Sequence, residues 1–285
     1  MPRGRSSRSV NPRQGRPGRA GGDPARRPRG NAPVLAGGLG GDQIEGRQAV
    51  RALLASRGRA IDAVYVVADR EPAPIVSEII DLADERGVLH MVSSYEIDAM
   101  ARSDVPQGVI ARAEPLRIAT LDDLVEPVGG RPPFLVVFDG VTDPHNLGAV
   151  LRSALSAGAT GAVLARHRSV HVTPVVAKAA AGAIEYMPIA LVAGIPSALA
   201  DLKTSGIWTV GLDADGERSV DDLPVSTEPV ALVFGAEGRG LSLLTRNRCE
   251  IRARIDLFGP LESLNVSAAA AVACFAVSRQ RSQGS

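Results

Sequence analysis

The chain has 285 residues, and 45% of them are apolar, so it is long enough to bury the cores of two modest domains. Its longest apolar run, over residues 266–277, is too short for a membrane span, and no signal peptide opens the chain. We therefore expect a cytoplasmic protein without a membrane partner. Cys249 and Cys274 lack the spacing of a disulfide framework or a zinc site, so we expect buried free thiols and no metal.

The formal net charge of +1 conceals an uneven distribution of charge. Residues 1–31 contain nine arginines against one aspartate, a net charge of +8, so the rest of the chain carries −7. Residues 1–40 are rich in Arg, Gly, Pro and Ser without an apolar period, which predicts a disordered basic arm. Such an arm either anchors the protein to RNA phosphates or serves only as a solubilising leader.

Residues 41–113 alternate between helical and strand patterns and predict a small α/β domain. The predicted elements are a helix around Val50, Leu53 and Leu54, strands at 63–67, 88–92 and 108–113, and helices at 75–83 and 95–100. Residues 114–133 are rich in Pro and Gly, which predicts a linker between two domains.

Residues 134–285 predict a second α/β domain. Five consecutive apolar residues at 134–138 are typical of a parallel strand that is buried on both faces. Further strands are expected at 162–165, 207–212, 230–234 and 251–255, and helices at 147–157, 174–184, 195–204, 241–246 and 264–279. This alternation predicts a mostly parallel sheet with helices on both faces, in which ligands bind beyond the carboxyl ends of the strands.

The first motif, at residues 139–154, directly follows the opening strand of this domain. Asn146 is a residue type that caps helices, and we expect a helix to begin immediately after it. Small residues in that helix, such as Gly148 and Ser153, would let another backbone approach closely. Arg152 is a long cation among these small residues, and taken on its own such a residue is more often an ordinary solvated or paired arginine.

Two more motifs follow later strands. Residues 234–242 read Phe-Gly-Ala-Glu-Gly-Arg-Gly-Leu-Ser, and the glycines permit a sharp turn with close approach of a ligand to the backbone. Their spacing differs from that of a dinucleotide-binding fingerprint, which argues against a nicotinamide-dependent oxidoreductase. Residues 255–267 lead from a strand through a Gly-Pro loop into an Ala-rich helix, which Ser263 or Asn265 can cap.

Together, the three motifs resemble those of the SpoU/TrmH family of RNA 2′-O-ribose methyltransferases in order and spacing. The resemblance covers about residues 134–280, and residues 44–113 resemble the small RNA-binding domain that precedes the catalytic domain in rRNA-modifying members. The stretch from Pro106 to Arg112 is similar to the end of that domain. The resemblance implies a deep trefoil knot, S-adenosylmethionine bound within the knot, and an active site at a homodimer interface.

By position in the family's motifs, seven residues are implied to form the site. Gly235, Ile255 and Leu264 match residues whose backbone groups hold the cofactor. The catalytic pocket is matched by Asn146, Arg152, Glu237 and Asn265. An arginine stays protonated, so we expect Arg152 to stabilise the developing alkoxide rather than to act as a base. The sequence departs from the family at Asp256-Leu257, where Pro-Met is usual.

The resemblance leaves several substrates open. We expect methylation of a guanosine in 23S rRNA, and the alternatives are an adenosine of 23S rRNA, as in thiostrepton-resistance enzymes, or a tRNA. A noncatalytic RNA-binding or ribosome-assembly protein with the same fold is the alternative from another class. The four intact pocket residues argue against it.

The last predicted helix, from Leu264 to Arg279, has almost no polar face before its Ser-Arg-Gln-Arg end. A helix that is apolar all round must be covered on every side. No later element of the chain remains to cover the side that faces away from the sheet. We therefore expect a homodimer in which Ala269 and Ala273 contact the second copy.

Overall fold

A computed structural model of the chain describes residues 39–69, 71–167 and 171–283. Most of the predicted basic arm, residues 1–38, lies outside the described residues. Leu39 is buried, and the N–H group of Gly41 donates a hydrogen bond to the carbonyl oxygen of Val172. The folded part of the chain therefore begins no later than Leu39, and the described residues belong to one compact unit.

A four-stranded sheet occupies the first part of this unit. Its elements are β1 (Gln43–Glu45), α1 (Arg47–Ser56), β2 (Ile61–Val67), α2 (Pro74–Asp84), β3 (Leu89–Val92), α3 (Ser94–Met100) and β4 (Val109–Ala113). The strand order is β1-β4-β2-β3, with β2 and β3 parallel and the other pairs antiparallel. Val50, Leu53 and Leu54 of α1 are buried, as their helical spacing predicts, so α1 packs its apolar face into the core.

An eight-stranded sheet forms the second part. Its elements are β5 (Ile118–Ala119), α4 (Leu121–Val125), β6 (Phe134–Asp139), α5 (Pro144–Ser156), β7 (Gly161–Ala165), α6 (Pro174–Ala179), β8 (Ile189–Val192), α7 (Ile195–Thr204), β9 (Trp208–Leu212), β10 (Arg218–Ser219), β11 (Val230–Gly235), α8 (Leu243–Arg248), β12 (Ile251–Arg254) and α9 (Val266–Gln283). The order is β10-β12-β9-β11-β6-β7-β8-β5, and every pairing between these strands is parallel.

Two apolar cores cover the two faces of this sheet. Strand β6 contributes Phe134, Val136 and Phe138 to the core that contains α5, α6 and α9. It contributes Leu135 and Val137 to the core that contains α4 and α7. The expected architecture, a parallel sheet with helices on both faces, is confirmed, and a strand that is buried on both faces explains the continuous apolar run.

The region predicted as a linker contains regular structure. Strand β5 pairs with β8 at the edge of the large sheet, and α4 follows it with a buried Leu124. The side chain of Thr120 accepts a hydrogen bond from the N–H of Asp123, and the Asp123 carboxylate accepts one from the N–H of Thr120. This reciprocal cap stabilises a helix only five residues long, so residues 118–125 belong to the large sheet rather than to a connector.

Three further strands and one helix end differ from the prediction. Strands β1, β8 and β10 were not predicted, and the helix expected at 174–184 ends at Ala179. Ala181 and Gly182 adopt left-handed backbone angles, with φ of 49° and 92°, which ends the regular helix. A β-carbon on Gly182 would lie 2.1 Å from the β-carbon of Ala52 in α1, so glycine here lets the four-stranded part pack closely against this turn.

A buried ion pair also fixes the four-stranded part to the large sheet. The guanidinium of Arg59 donates to both carboxylate oxygens of Glu185, with Nη2–Oε1 and Nε–Oε2 distances of 2.7 and 3.0 Å. The two side chains are only 7% and 2% exposed, and Arg59 also donates to the carbonyl oxygens of Gly41 and Glu114. A buried ion pair whose two partners are both hydrogen-bonded keeps one geometry, because separating the partners would leave a buried charge without a counter-charge.

The small residues of α5 allow another backbone to approach this helix closely, as the sequence predicts. A β-carbon on Gly148 would lie 2.5 Å from the β-carbon of Ala179 and 2.7 Å from the carbonyl oxygen of Val176. Helix α6 therefore approaches α5 more closely than any larger residue would allow.

Burial raises the pKa of the Cys274 thiol to about 12, and it has the same effect on Cys249, although Cys249 is only partly buried. The expectation that both thiols are buried is therefore correct in full only for Cys274. Within the described ranges, no helix is long and apolar enough to cross a membrane. The same residues contain no group of His, Cys, Asp or Glu side chains arranged to hold a metal ion.

Candidate active site

The three motifs lie at one edge of the large sheet because each follows the carboxyl end of a parallel strand. Strands β6 and β11 are neighbours, and their register pairs Asp139 with Gly235 at the end of both. Strand β12 lies two positions further along, beyond β9. The segment after β12 leads into α9, which packs against α5 and β11 and so returns the chain to the first two motifs.

Three side chains from the three motifs form one hydrogen-bonded cluster. The amide nitrogen of Asn146 donates to Oε2 of Glu237 over 3.2 Å. The amide nitrogen of Asn265 donates to Oε1 of Glu237 over 3.2 Å and to Oδ1 of Asn146 over 3.1 Å. Asn146 and Asn265, which are 91 and 28 residues from Glu237 in the sequence, thus both donate to its carboxylate. The cluster is solvent-accessible, and its oxygen atoms can still accept hydrogen bonds from a hydroxyl group of a ligand.

Two helices begin at this cluster. Asn146 lies in the first turn of α5, and Asn265 directly precedes α9. Because the positive ends of both helix dipoles point toward it, the Glu237 carboxylate is favoured at this position. Asn265 accepts hydrogen bonds from the N–H and hydroxyl of Ser267 over 2.8 and 2.6 Å, so the prediction that it caps the last helix is confirmed.

The prediction that Asn146 caps α5 is wrong. Asp143 is the cap, because its carboxylate accepts hydrogen bonds from the N–H groups of His145 and Asn146 over 2.6 and 3.1 Å. Pro144 occupies the first turn, where its fixed φ and missing N–H cost nothing. The amide side chain of Asn146 is consequently not needed for capping and is available to the cluster.

The glycine loop after β11 folds back tightly on itself. The N–H groups of Ala236 and Gly240 each donate to the other's carbonyl oxygen, over 3.0 and 2.8 Å. A β-carbon on Gly235 would lie 2.1 Å from the carbonyl carbon of Gly240, so only glycine fits at the strand end. The Asp139 carboxylate accepts a hydrogen bond from the N–H of Ser242 over 2.7 Å and holds the far end of the loop.

Asp256, where the family usually has proline, anchors the third motif. Its Oδ2 atom accepts a hydrogen bond from the Ser219 hydroxyl over 2.7 Å, and its Oδ1 accepts from Nε of Arg254 over 2.8 Å. The Ser219 hydrogen bond and the Arg254 charge lower the pKa of this carboxyl group. The loop that begins at Asp256 is therefore held by side-chain contacts to β10 and β12, although the usual proline is absent.

A cavity of about 960 Å³ lies between the second and third motifs. Gly235, Ile255 and Leu264, the residues implied to hold the cofactor, all line it, together with Glu237 and Asn265. The volume lies in the range that ligand-binding pockets occupy. The cavity combines exposed loop backbone and apolar side chains with two members of the hydrogen-bonding cluster, Glu237 and Asn265, which suits a ligand of nucleoside size.

Arg152 is not part of the cluster. It follows Asn146 by six residues on a straight helix, which rotates it by about 240° and moves it about 9 Å along the axis. Its side chain is exposed, and it forms no hydrogen bond or ion pair with the part of the chain that the structure describes. The structure thus brings together six of the seven predicted site residues and leaves Arg152 on the outer surface of α5.

Sequence reasoning missed one pair of charged residues at the cavity. Asp213 follows β9, and its carboxylate accepts from Nε of Arg246 over 2.6 Å. Both residues line the cavity. The rule that located the three motifs, polar residues at the carboxyl ends of parallel strands, also applies to Asp213 and could have found it.

Comparison with known proteins decides the family. The family model described as "SpoU rRNA Methylase family" matches residues 133–275, and a model for "RNA 2'-O ribose methyltransferase substrate binding" matches residues 43–119. The chain belongs to the SpoU rRNA methylase family. The resemblance inferred from the three motifs is therefore confirmed.

Individual SpoU relatives match over most of the chain. The chain is 40% identical over 239 residues to the 23S rRNA (guanosine-2'-O-)-methyltransferase RlmB of Ralstonia nicotianae, covering 83% of this chain and 95% of the relative. It is 38% identical over 247 residues to RlmB of Pseudomonas syringae pv. tomato, covering 85% and 96%. The AdoMet-bound rRNA methyltransferase from Sinorhizobium meliloti superposes with a TM-score of 0.67 at 26% identity, covering 84% of this chain and 87% of that one.

Proposed function

We propose that this protein transfers a methyl group from S-adenosylmethionine to the ribose 2′-hydroxyl of a guanosine in 23S rRNA. The observation that carries the proposal is the Asn146–Glu237–Asn265 cluster, two members of which line a nucleoside-sized cavity. The names of the RlmB relatives support guanosine and 23S rRNA as the substrate. An rRNA substrate also supports a cytoplasmic location.

The cavity between the second and third motifs suits S-adenosylmethionine. The tight 236–240 turn exposes backbone groups at its wall, and Ile255 and Leu264 supply apolar contacts for an adenine ring. We assign cofactor binding to Gly235, Ile255 and Leu264. S-adenosylmethionine supplies a methyl group bound to a sulfonium, and no metal is required for its transfer.

The polar cluster would position the ribose. The carboxylate of Glu237 can accept a hydrogen bond from a ribose hydroxyl, while the amides of Asn146 and Asn265 keep that carboxylate in place. Alignment of the hydroxyl supplies most of the acceleration. The Arg152 guanidinium stabilises the developing alkoxide and the adjacent phosphate, and the proton leaves through another group or water.

The parts of the chain have separate roles in this proposal. Residues 41–113 bind the RNA substrate, and residues 134–285 carry the site. The arm at 1–40 would add phosphate contacts through its arginines. We also propose that the second and third motifs form a trefoil knot, which the return of α9 from the far strand β12 to α5 and β11 supports.

We propose that the active protein is a homodimer that joins through α5 and α9. Val272 and Phe275 of α9 are 40% and 42% exposed, and the loop before this helix holds Phe258 at 99%. An exposed apolar surface of this kind is typical of a contact with another protein chain. Arg152 lies on the exposed side of α5, which packs against α9, so a second copy at this surface would bring Arg152 toward the partner's cavity.

Burial corrects one residue of the predicted interface. Ala273 is fully buried within its own chain, so it cannot contact a second copy, and an arginine there would disrupt the fold. Phe275→Glu is instead expected to dissociate the dimer and to lower methyl transfer in parallel, because it places a charge in the apolar contact. Analytical ultracentrifugation at micromolar concentration measures the association.

The matched control is Trp208→Glu, which changes an aromatic residue that is 40% exposed at the amino end of β9, away from the site. It should leave both association and activity unchanged. A wild-type monomer with full activity would contradict the dimer.

Methyl transfer with purified components tests the proposed function. The protein is incubated with methyl-labelled S-adenosylmethionine and unmodified 23S rRNA, 16S rRNA or tRNA. We expect label in 23S rRNA, recovered as 2′-O-methylguanosine after digestion. Label in adenosine or in tRNA would overturn the substrate assignment. Tight RNA binding without any transfer would indicate a noncatalytic assembly protein.

A further inference from the structure

Three planar side chains form a row across the four-stranded sheet, on strands that are neighbours. The ring of Tyr65 on β2 stacks with the ring of His90 on β3, with centroids 5.2 Å apart and planes at 25°. On the other side, the guanidinium carbon of Arg112 on β4 lies 5.9 Å from the centroid of the Tyr65 ring. We call Tyr65, His90 and Arg112 the stacking row.

The stacking row lies on the face of the sheet that α1 and α2 do not cover. Side chains alternate along a strand, so Val64 and Val66, which are buried with those helices, lie on the opposite face from Tyr65. Helix α3 covers the neighbouring part of the open face through Ile97, which packs with Val67 and Ile110. Tyr65 is therefore half-buried at the edge of α3, and His90 and Arg112 are exposed.

Arg112 lacks an anionic partner among the described residues, in contrast to two other arginines of this part of the chain. Arg51 pairs with Glu78, and Arg59 pairs with Glu185. Arg112 has no ion pair with the residues that the structure describes, and its guanidinium lies beside the Tyr65 ring. An exposed guanidinium without an anionic partner, beside the Tyr65 ring, presents both a planar surface and a positive charge.

We propose that the stacking row is a binding site for an unpaired nucleobase of the RNA substrate. Single-stranded nucleotides bind to proteins by stacking on aromatic rings and arginine planes, while nearby cations contact the phosphates. The stacking row supplies these groups within one exposed surface. A paired base in a duplex cannot reach them, because its faces are already stacked. This proposal rests on the proposed function, since it names the part of the chain that holds the RNA.

Binding of a fluorescent single-stranded RNA 12-mer to the full-length protein, without S-adenosylmethionine, tests the site. His90→Ala and Arg112→Lys should each weaken binding by about tenfold, the effect typical of one stacked base. Arg112→Lys keeps the charge, so the dependence of binding on salt should not change. Arg112→Gln should lower the salt slope by about 0.7 in addition.

Two substitutions serve as matched controls. Tyr65→Phe keeps the ring and should bind as the wild type does, and Arg57→Lys alters an exposed arginine that contacts no ring. Thermal melting verifies that each variant is folded. Binding of a blunt RNA duplex should be the same in all variants.

The outcomes separate this proposal from the proposed function. Wild-type affinity in both His90→Ala and Arg112→Lys would overturn the stacking site, whatever the enzyme does. Equal losses for single-stranded and duplex RNA would also overturn it, since they would indicate a contact with the backbone alone. Lack of methyl transfer by the wild type would overturn the proposed function. The RNA-binding measurements would still decide whether the stacking row binds a nucleobase.

Discussion

Replacing Arg152 with alanine is expected to lower single-turnover methyl transfer by about 100- to 1000-fold, as loss of one charge-stabilising donor does in other enzymes. The fold should be unaffected, because the side chain is exposed and forms no hydrogen bond or ion pair with the residues that the structure describes. Cofactor binding should also be unaffected, because Arg152 does not line the cavity. Rapid-quench assays with labelled S-adenosylmethionine and saturating rRNA measure the rate.

Arg248→Ala is the matched control, since Arg248 is exposed at the end of α8 and lies outside the proposed interface. Its rate should equal that of the wild type. Arg152→Lys should recover only part of the activity, because an ammonium group lacks the planar fork of guanidinium. A normal single-turnover rate for Arg152→Ala would show that the residue has no part in the reaction.

Replacing Gly235 with alanine is expected to weaken cofactor binding strongly while the protein remains folded. The added β-carbon would lie 2.1 Å from the carbonyl carbon and 2.3 Å from the carbonyl oxygen of Gly240, both backbone atoms. The 236–240 turn must therefore move, and with it a wall of the cavity. Isothermal titration with S-adenosylmethionine should give an affinity reduced by at least about tenfold, a loss of about 1.4 kcal/mol.

Gly259→Ala is the control for this substitution. Gly259 lies in the loop between β12 and α9, and a β-carbon there would meet no atom within 4 Å. It should bind the cofactor as the wild type does. If Gly235→Ala retained full affinity, the glycine loop would not form the cofactor site.

The site could be predicted in outline because strand order determines where loops meet. Each motif follows a parallel strand, and the carboxyl ends of such strands lie at one edge, so Asn146, Glu237 and Asn265 were expected to be near one another. Their hydrogen bonds to each other could not be derived, since they depend on the return of α9 to α5. The sequence also contains the signal for the true cap of α5, because Asp143 followed by Pro144 is a typical helix start. The prediction of Asn146 as the cap overlooked this signal.

The elements that escaped prediction are short and lack a clear period. Strand β5 has two residues, and α4 has five, so neither shows a hydrophobic repeat. They exist because the edge of a large sheet offers a pairing partner to any extended segment near it. The separation of Arg152 from the cluster follows from the helical rotation over six residues. Residues that a second chain contributes to the site cannot be derived from the pattern of one chain.

Mapping of ribose methylation in the 23S rRNA of cells that lack this protein is the most direct test of the central claim. We expect one guanosine to lose its 2′-O-methyl group, and the wild-type gene to restore it where Arg152→Ala does not. An unchanged methylation pattern in 23S rRNA, or a loss confined to tRNA, would contradict the account.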